Sequence, residues 1–317
     1  MTTTAVRRTV LTAVLLTALG FSLAAGGSSE SADVSAKGPV TVASKIDTEG
    51  SLLGYMMLHL LEDDGFAVVN QVEFGPTDVI RRAITNGEID LYPEYTGNGA
   101  FFFDEAGSAV WKDFEAGYQR VKQLDREAND LVWLTPGDAN NTWAIAVRSE
   151  LVEAGLTTMD DIGPYMAQGG TFKLAASEEF VSRPDVLPAF EETYDFQLQQ
   201  SDLLVFSGGN TATTMQAAAR NQDGVNAAMA YGTDGQLAAL GLQVLEDTQG
   251  VQPVYRPAPV VRASVLEDYP EIATLLAPVF ESFTREILQG LNAAIAVEGR
   301  SPEIVAEEYL RDNGFIE

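Results

Sequence analysis

Residues 90–98 read Asp-Leu-Tyr-Pro-Glu-Tyr-Thr-Gly-Asn, directly after two strand–helix units of the chain. The run combines two tyrosines, two acidic residues, a proline and a glycine. Phenol and carboxylate groups are costly to bury without partners, whereas aromatic faces beside polar groups attract soft cations. The run therefore predicts one wall of a ligand cleft rather than ordinary core, on a short strand that begins near Leu91.

The residues before this run follow a β-α-β-α-β pattern. Apolar residues 40–43 predict a strand, residues 49–63 a helix, residues 66–74 an alternating strand, and residues 78–86 a helix that Gly87 ends. This order predicts an α/β fold with a largely parallel sheet and helices on both faces.

A second series of strands and helices starts near residue 131, and an extended segment at 253–261 precedes three helices at the C terminus. Two α/β units with a returning segment predict two lobes with a hinged cleft between them. We expect residues 39–141 plus 252–317 to form lobe I, and residues 142–251 to form lobe II.

Composition excludes several classes of protein. The 317 residues carry a formal net charge of −27, and the phosphates of a nucleic acid would be repelled by such a surface. There is no cysteine, which excludes disulfides and thiolate chemistry, and His59 is the sole histidine, expected half-buried on a helix. The acidity fits either a saline medium, where counterions screen self-repulsion, or simply an exported protein.

The N terminus predicts export. Arg7 and Arg8 precede apolar and small residues at 10–25, the pattern of a signal peptide spanning residues 1–25 and cleaved near Ala25. Both the general and the twin-arginine routes stay open. Residues 26–38 are rich in Gly, Ser and acids and predict a flexible leader. Gly26 stands where a lipoprotein would carry its cysteine, so we expect a free periplasmic protein.

Four aromatic residues at or after strand ends, Tyr95, Trp143, Tyr231 and Tyr255, are candidates for one binding site. A quaternary ammonium has no N–H to donate, and proteins hold it against electron-rich aromatic faces. If the four rings line one cleft, they form such a cage. The alternative is that they are ordinary core or rim residues.

Lys45 and Arg183 are basic residues in a chain that is short of them, and both could bind a ligand carboxylate. Their alternative role is a surface salt bridge. Asp90, Glu94 and Asp234 could be helix caps, hinge contacts or docking residues. A hydrolase that uses a pair of these carboxylates is a further alternative, although nothing fixes their spacing.

Six segments in matching order are similar to one known family, the substrate-binding proteins of ABC importers for osmoprotectants such as glycine betaine, choline and proline betaine. They are Ala43–Lys45, Asp90–Gly97, Asn140–Ala144, Ser182–Asp185, Tyr231–Gly235 and Pro302–Ala306. The resemblance runs from about residue 40 to residue 317. It implies the type II-like, two-lobed periplasmic binding protein fold.

The resemblance also assigns site residues. The family's aromatic cage falls on Tyr95, Trp143, Tyr231 and Tyr255, and Trp143 stands at a position that is often tyrosine. The residues that hold a betaine carboxylate fall on Lys45 and Arg183, with Asn98 beside them.

The function implied is capture of a quaternary ammonium compound, with glycine betaine as the first candidate, and delivery to an ABC permease driven by its ATPase subunits. We expect a monomer that has no catalytic activity, needs no cofactor and does not span a membrane once processed. The alternatives are a choline- or amine-binding protein of the same fold, or a ligand sensor that is not coupled to transport.

Overall fold

The computed structural model describes residues 37–207 and 210–317. The expected signal peptide, residues 1–25, lies outside these residues, as does most of the expected leader. The last two leader residues, Lys37 and Gly38, belong to the first strand instead. Among the described residues, every helix is too short or too polar to cross a bilayer.

The strands of the described chain form two five-stranded sheets. Sheet I contains β1 (Lys37–Lys45), β2 (Phe66–Gly75), β3 (Leu91–Tyr95), β4 (Leu131–Trp133) and β10 (Pro257–Arg262), in the order β2-β1-β3-β10-β4. Sheet II contains β5 (Trp143–Arg148), β6 (Leu174–Ser177), β7 (Leu203–Phe206), β8 (Ala227–Tyr231) and β9 (Leu242–Val244), in the order β7-β6-β8-β5-β9.

Both sheets are mixed, so the expectation of a largely parallel sheet was only half right. In sheet I, β1 is parallel to β2 and β3, whereas β10 is antiparallel to β3 and β4. Sheet II repeats this plan: β6 is parallel to β7 and β8, and β5 is antiparallel to β8 and β9. The antiparallel strands β5 and β10 are those that enter a sheet from the other one, without the helical crossover that a parallel neighbour requires.

Helices cover both faces of each sheet. The N-terminal part contributes α1 (Thr48–Asp63), α2 (Thr77–Thr85), α3 (Gly99–Phe102) and α4 (Phe114–Asn129). The middle part contributes α5 (Ser149–Glu153), α6 (Ile162–Ala167), α7 (Glu178–Ser182), α8 (Leu187–Thr193) and α9 (Thr211–Ala219). The C-terminal part contributes α10 (Ala263–Asp268), α11 (Glu271–Glu281), α12 (Arg285–Ala296) and α13 (Pro302–Asp312).

The run at residues 90–98 lies in the core as well as at the cleft. Its strand, β3, is the central strand of sheet I, and all five of its residues are buried. The buried hydroxyl of Tyr92 is hydrogen-bonded, since it donates to Oε2 of Glu94 at 3.1 Å. Asp90 accepts from the backbone N–H of Thr41 at 2.8 Å. The first expectation therefore underestimated how far these polar side chains satisfy one another.

Helix α1 fixes one side of the cleft because it packs closely on β1. Asp47 caps its N terminus by accepting the N–H of Gly50. A Cβ on Gly54 would lie 2.7 Å from Cβ of Ser44, so glycine permits this close approach. Leu53 and Met56 on the opposite face are fully buried against the C-terminal helices.

Two connecting segments, residues 134–142 and 245–256, run between the sheets and hydrogen-bond to each other. The N–H of Asn141 donates to the carbonyl of Tyr255 at 2.8 Å, and the N–H of Tyr255 donates to Oδ1 of Asn140 at 2.8 Å. We call the part built on sheet I lobe I and the part built on sheet II lobe II. The lobe boundaries given above stay a prediction.

Replacement of a core leucine tests this packing. Leu53→Ala should lower the free energy of unfolding by about 2–5 kcal/mol, because it leaves a cavity between α1 and the C-terminal helices. Ile304→Ala is the matched control, since Ile304 on α13 is 50% exposed, and it should change the value by about 0.5 kcal/mol or less. Denaturant titration measures both, and equal losses in the two variants would contradict the packing.

Candidate functional site

Strand ends bring the candidate residues to one edge of each sheet. In lobe I, Lys45 and Tyr95 end β1 and β3, and Asn98 follows in a short turn. In lobe II, Trp143 begins β5 and Tyr231 ends its antiparallel neighbour β8, where the two residues are direct cross-strand partners. Their side chains therefore project from the same end of sheet II toward lobe I.

Six of the seven residues singled out from the sequence line a single cavity. The lining residues are Lys45, Asp47, Thr77, Tyr95, Asn98, Asn141, Trp143, Tyr231 and Tyr255. Arg183 is the exception. The cavity has a volume of about 20 Å³, which is room for about one water molecule. The two lobes are thus closed against each other in this structure.

The aromatic side chains of the cavity are held firmly in place. The ring centroids of Trp143 and Tyr231 lie 4.6 Å apart with the rings tilted by 47°, and Trp143 packs edge-to-face with Phe180 at a centroid distance of 5.5 Å. Tyr255 packs closely against the turn after β3, where a Cβ on Gly97 would come within 2.8 Å of its ring. Rings fixed in this way present their faces without further loss of entropy on binding.

Glu49 positions Tyr95 and connects it to other parts of the fold. One oxygen accepts the hydroxyl of Tyr95 at 2.9 Å and the amide of Asn141 at 3.0 Å, and the other accepts the amide of Asn292 at 2.8 Å. Glu49 is only 3% exposed, and this burial raises the pKa of its carboxyl. Three charge-assisted hydrogen bonds oppose that effect by favouring the ionised form.

Lys45 is paired within the protein. Its Nζ lies 2.5 Å from Oε1 of Glu94, in surroundings from which water is excluded, and 4.8 Å from the ring centroid of Tyr95. The same Glu94 oxygen accepts the amide of Asn98 at 2.7 Å. Glu94 therefore holds both lobe I candidates for carboxylate binding in place and offsets the charge of one of them.

Arg183 lies just behind the cavity and bridges the lobes. Its guanidinium makes two hydrogen bonds to Asp185, at 3.0 and 2.6 Å, and a third to Glu179 at 3.0 Å. It also donates to Oδ1 of Asn98 at 2.9 Å and stacks on Phe101 with 4.2 Å to the ring centroid. The ligand-binding role expected of Arg183 would thus be exercised through, or beside, Asn98.

A second contact between the lobes involves the turn after β8. The amide of Asn292 on α12 donates to the carbonyl of Thr233 at 3.0 Å, and the amide of Gln289 donates to the carbonyl of Gly232 at 3.2 Å. A Cβ on Gly235 would lie 1.8 Å from the carbonyl oxygen of Gln289, so glycine is required for this approach. The backbone of lobe II therefore rests directly on α12 of lobe I.

Asp234 shapes this turn from the inside. Its carboxylate accepts the backbone N–H of Tyr231 at 2.6 Å and the hydroxyl of Thr211 at 2.8 Å. Burial raises the pKa of Asp234 to about 7, an effect that the two hydrogen bonds only partly offset. None of the roles left open from the sequence describes Asp234 as the structure has it: its carboxylate stabilises the turn next to Tyr231, an aromatic residue of the cavity.

Three cavity residues were not identified from the sequence: Asp47, Thr77 and Asn141. Asn141 belongs to a segment that carried the family resemblance, and its position two residues before Trp143 could have suggested it. Asp47 lies two residues before the helix expected at residues 49–63, a position that favours a helix cap and does not indicate a cavity residue. Thr77 begins α2, and nothing in its local sequence indicates a contact with the cavity.

The family described as "Substrate binding domain of ABC-type glycine betaine transport system" matches residues 38–312. The glycine betaine-binding protein YehZ of Escherichia coli is 58% identical over 281 residues, which are 88% of this chain and 92% of that protein. The glycine-betaine-binding protein of Pseudomonas aeruginosa is 32% identical over 283 residues, 87% and 88% of the two chains.

Solved structures agree with these matches. Apo YehZ superposes with a TM-score of 0.64 and covers 87% of this chain and 99% of its own. A glycine betaine/carnitine/choline ABC transporter structure reaches 0.67 at 22% identity, covering 88% of this chain and 100% of its own, and shows the shared two-lobed fold alone. With the two mixed sheets and the cavity at the lobe junction, these matches place the chain in the family of substrate-binding domains of ABC-type glycine betaine transport systems.

Proposed function

We propose that this protein captures a quaternary ammonium osmolyte, with glycine betaine as the principal ligand, and delivers it to the permease of an ABC importer. The observation that carries the proposal is the convergence of Tyr95, Trp143, Tyr231 and Tyr255 on one cavity at the lobe junction. A cation against several aromatic faces gains roughly 0.5 to 2 kcal/mol from each face. Two relatives named for glycine betaine binding support the choice of ligand.

The carboxylate of a betaine would meet Lys45 and Asn98, which both line the cavity. Arg183 would strengthen this end of the site, since it already donates to Asn98. Both cations have acidic partners inside the protein, so the ligand carboxylate would share them rather than find them free. A buried acceptor, Oδ1 of Asn141, has no hydrogen-bond partner among the described residues and is available to a water molecule.

Capture would proceed through lobe opening and closure. A cavity that holds about one water molecule cannot admit a betaine, so the ligand must enter while the lobes are apart. Contacts from both lobes then favour the closed state, in which the protein docks on its permease and ATP hydrolysis by the partner subunits drives import. The protein would act outside the cytoplasm as a monomer, after removal of residues 1–25.

The direct test is isothermal titration calorimetry of residues 26–317 with glycine betaine and with choline, at low and high salt. We expect glycine betaine to bind at both salt concentrations, since interactions in a closed, dry cavity are weakly screened. Choline tests the alternative within the same fold. Absence of binding for both compounds would contradict the proposal.

The aromatic cage is tested by Trp143→Ala. This change removes a cation–π face and buried contact surface, and it should weaken glycine betaine binding by about 1 to 3 kcal/mol. Tyr165→Ala is the control, because Tyr165 is a half-buried aromatic residue of lobe II that lies outside the cavity lining. Calorimetry gives both affinities, and wild-type affinity in the Trp143 variant would exclude the cage.

The carboxylate contacts are tested by Arg183→Ala. This variant should lose much more affinity for glycine betaine than for choline, since choline has no carboxylate and the change also leaves Asp185 and Glu179 unpaired. Arg81→Ala is a useful comparison, because Arg81 pairs with buried Asp125 and does not belong to the cavity lining. Equal losses for the two ligands would mean that Arg183 acts only by joining the lobes.

A further inference from the structure

One wall of the cavity is an acid, Asp47. Its Oδ1 accepts the N–H of Gly50 at 2.8 Å as the N-cap of α1. This donor is a backbone group: within residues 37–207 and 210–317, no side chain donates to either carboxylate oxygen, and no lysine or arginine lies within ion-pair distance of it. Asp47 is 7% exposed and lines the cavity. A cationic ligand in the cavity would therefore meet a carboxylate that is not already paired with a cation of the protein.

Acids outnumber bases around this cavity. The charged side chains of the lining and the layer behind it are the bases Lys45 and Arg183 and the acids Asp47, Glu49, Glu94, Glu179, Asp185 and Asp234. If all were ionised, their sum would be 2 − 6 = −4. Glu94 forms a salt bridge with Lys45, and Asp185 and Glu179 both form salt bridges with Arg183. Three buried acids remain without a cation of their own.

Asp47 differs from the other two in its position. Glu49 is surrounded by hydroxyl and amide donors behind the ring of Tyr95, and Asp234 is held by the turn after β8. Neither of these acids belongs to the cavity lining, whereas Asp47 does. An incoming cation would thus come nearest to Asp47.

We propose that Asp47 is the charge-selecting residue of this cavity, and that its carboxyl gives up a proton when a quaternary ammonium enters. This inference rests on the proposed function. The O–H bond of the Asp47 carboxyl breaks, its proton passes to solvent, and the fixed positive charge of the ligand replaces it beside the carboxylate. A quaternary ammonium neither gains nor loses a proton, so every proton released comes from the protein.

The direction of the pH effect follows from the surroundings of Asp47. Burial raises the pKa of its carboxyl, Lys45 lowers it in part, and Glu179 raises it further. Glu49 and Asp234, which also interact with Asp47, are acids and act in the same direction as Glu179. Tyr95 and Tyr231 stay neutral, since burial raises the pKa of each phenol well above its usual value.

A bound cation lowers the pKa of Asp47 again. Between the pKa values of the bound and free states, binding releases a proton, and affinity falls as the pH falls. The limit for one proton is about tenfold per pH unit. At a pH above the free-state value the dependence disappears, because Asp47 is then already ionised.

The experiment is calorimetric titration with choline and glycine betaine between about pH 5 and about pH 8, in succinate and in MES at the acid end and in phosphate and in MOPS near neutrality. These buffers differ in their enthalpy of ionisation, so the difference in measured heat counts the protons released. We expect the wild-type protein to release protons toward the acid end of the range and to bind choline more weakly there.

Asp47→Asn separates the charge from the cap, because asparagine also accepts the N–H of a first helical turn. Asp113→Asn is the matched control: Asp113 caps α4 by accepting the N–H of Ala116 at 2.9 Å, and it is exposed. We expect Asp47→Asn to lose about tenfold or more in choline affinity. The loss for glycine betaine should be smaller, because the variant also removes the repulsion between the Asp47 carboxylate and the carboxylate of the ligand. Asp113→Asn should behave as wild type.

The outcomes distinguish a role of Asp47 from the alternatives. Loss of proton release together with a shift in preference from choline toward glycine betaine supports the role of Asp47. Proton release that persists in Asp47→Asn would move the effect to Glu49 or Asp234 and overturn the assignment. Binding without proton release, or an unchanged ligand preference, would also overturn it. If neither ligand binds the wild-type protein, the proposed function itself fails.

Discussion

The carboxylate of Glu49 is the interaction on which the rest of the site depends. It lies in the first turn of α1, where the helix dipole favours an anion, and it receives donors from β3, from a connecting segment and from α12. Through Asn292 it also reaches the turn of lobe II. One buried acid therefore sets the orientation of a cavity tyrosine and the closeness of the lobes together. Burial of that acid is tolerable only because each oxygen has a partner.

The charged groups around the cavity differ in the kind of partner that each one has. Lys45 and Arg183 are each paired with acids of the protein, and Glu49 and Asp234 accept hydrogen bonds from neutral donors. Such pairs are expensive to separate but add little net stability, so their main effect is to fix geometry. The result is a cavity lined by four aromatic residues, with more acidic than basic side chains around it.

Much of this could be anticipated from the sequence. The helices α1 and α2 and strands β1 and β2 follow from apolar periodicity and from Gly65 and Gly87 as stops. The aromatic candidates were identifiable because polar aromatics at strand ends are unusual in a core. Helix α4 was missed, since its face toward the core carries few apolar residues, and β7 was missed because it is a short edge strand.

The pairing of side chains could not be read in the same way. Lys45 and Glu94 are 49 residues apart, and Arg183 and Asn98 are 85 apart, so no local pattern indicates either contact. The sequence thus identified six residues that line the cavity, but it did not indicate that the charges of Lys45 and Arg183 are already paired with acids of the protein. Asp47 shows the same limit, because nothing in its local sequence indicates that the N-cap of α1 also lies in the cavity wall.

The small size of the closed cavity has a kinetic consequence. When the resting protein has no room for its ligand, collision with the closed form is unproductive, and only molecules that have opened spontaneously can load. The observed loading rate then rises with ligand concentration at first and levels off at the opening rate. Under sudden osmotic stress, the rate of uptake would be limited by the opening motion at the two connecting segments rather than by diffusion of the solute.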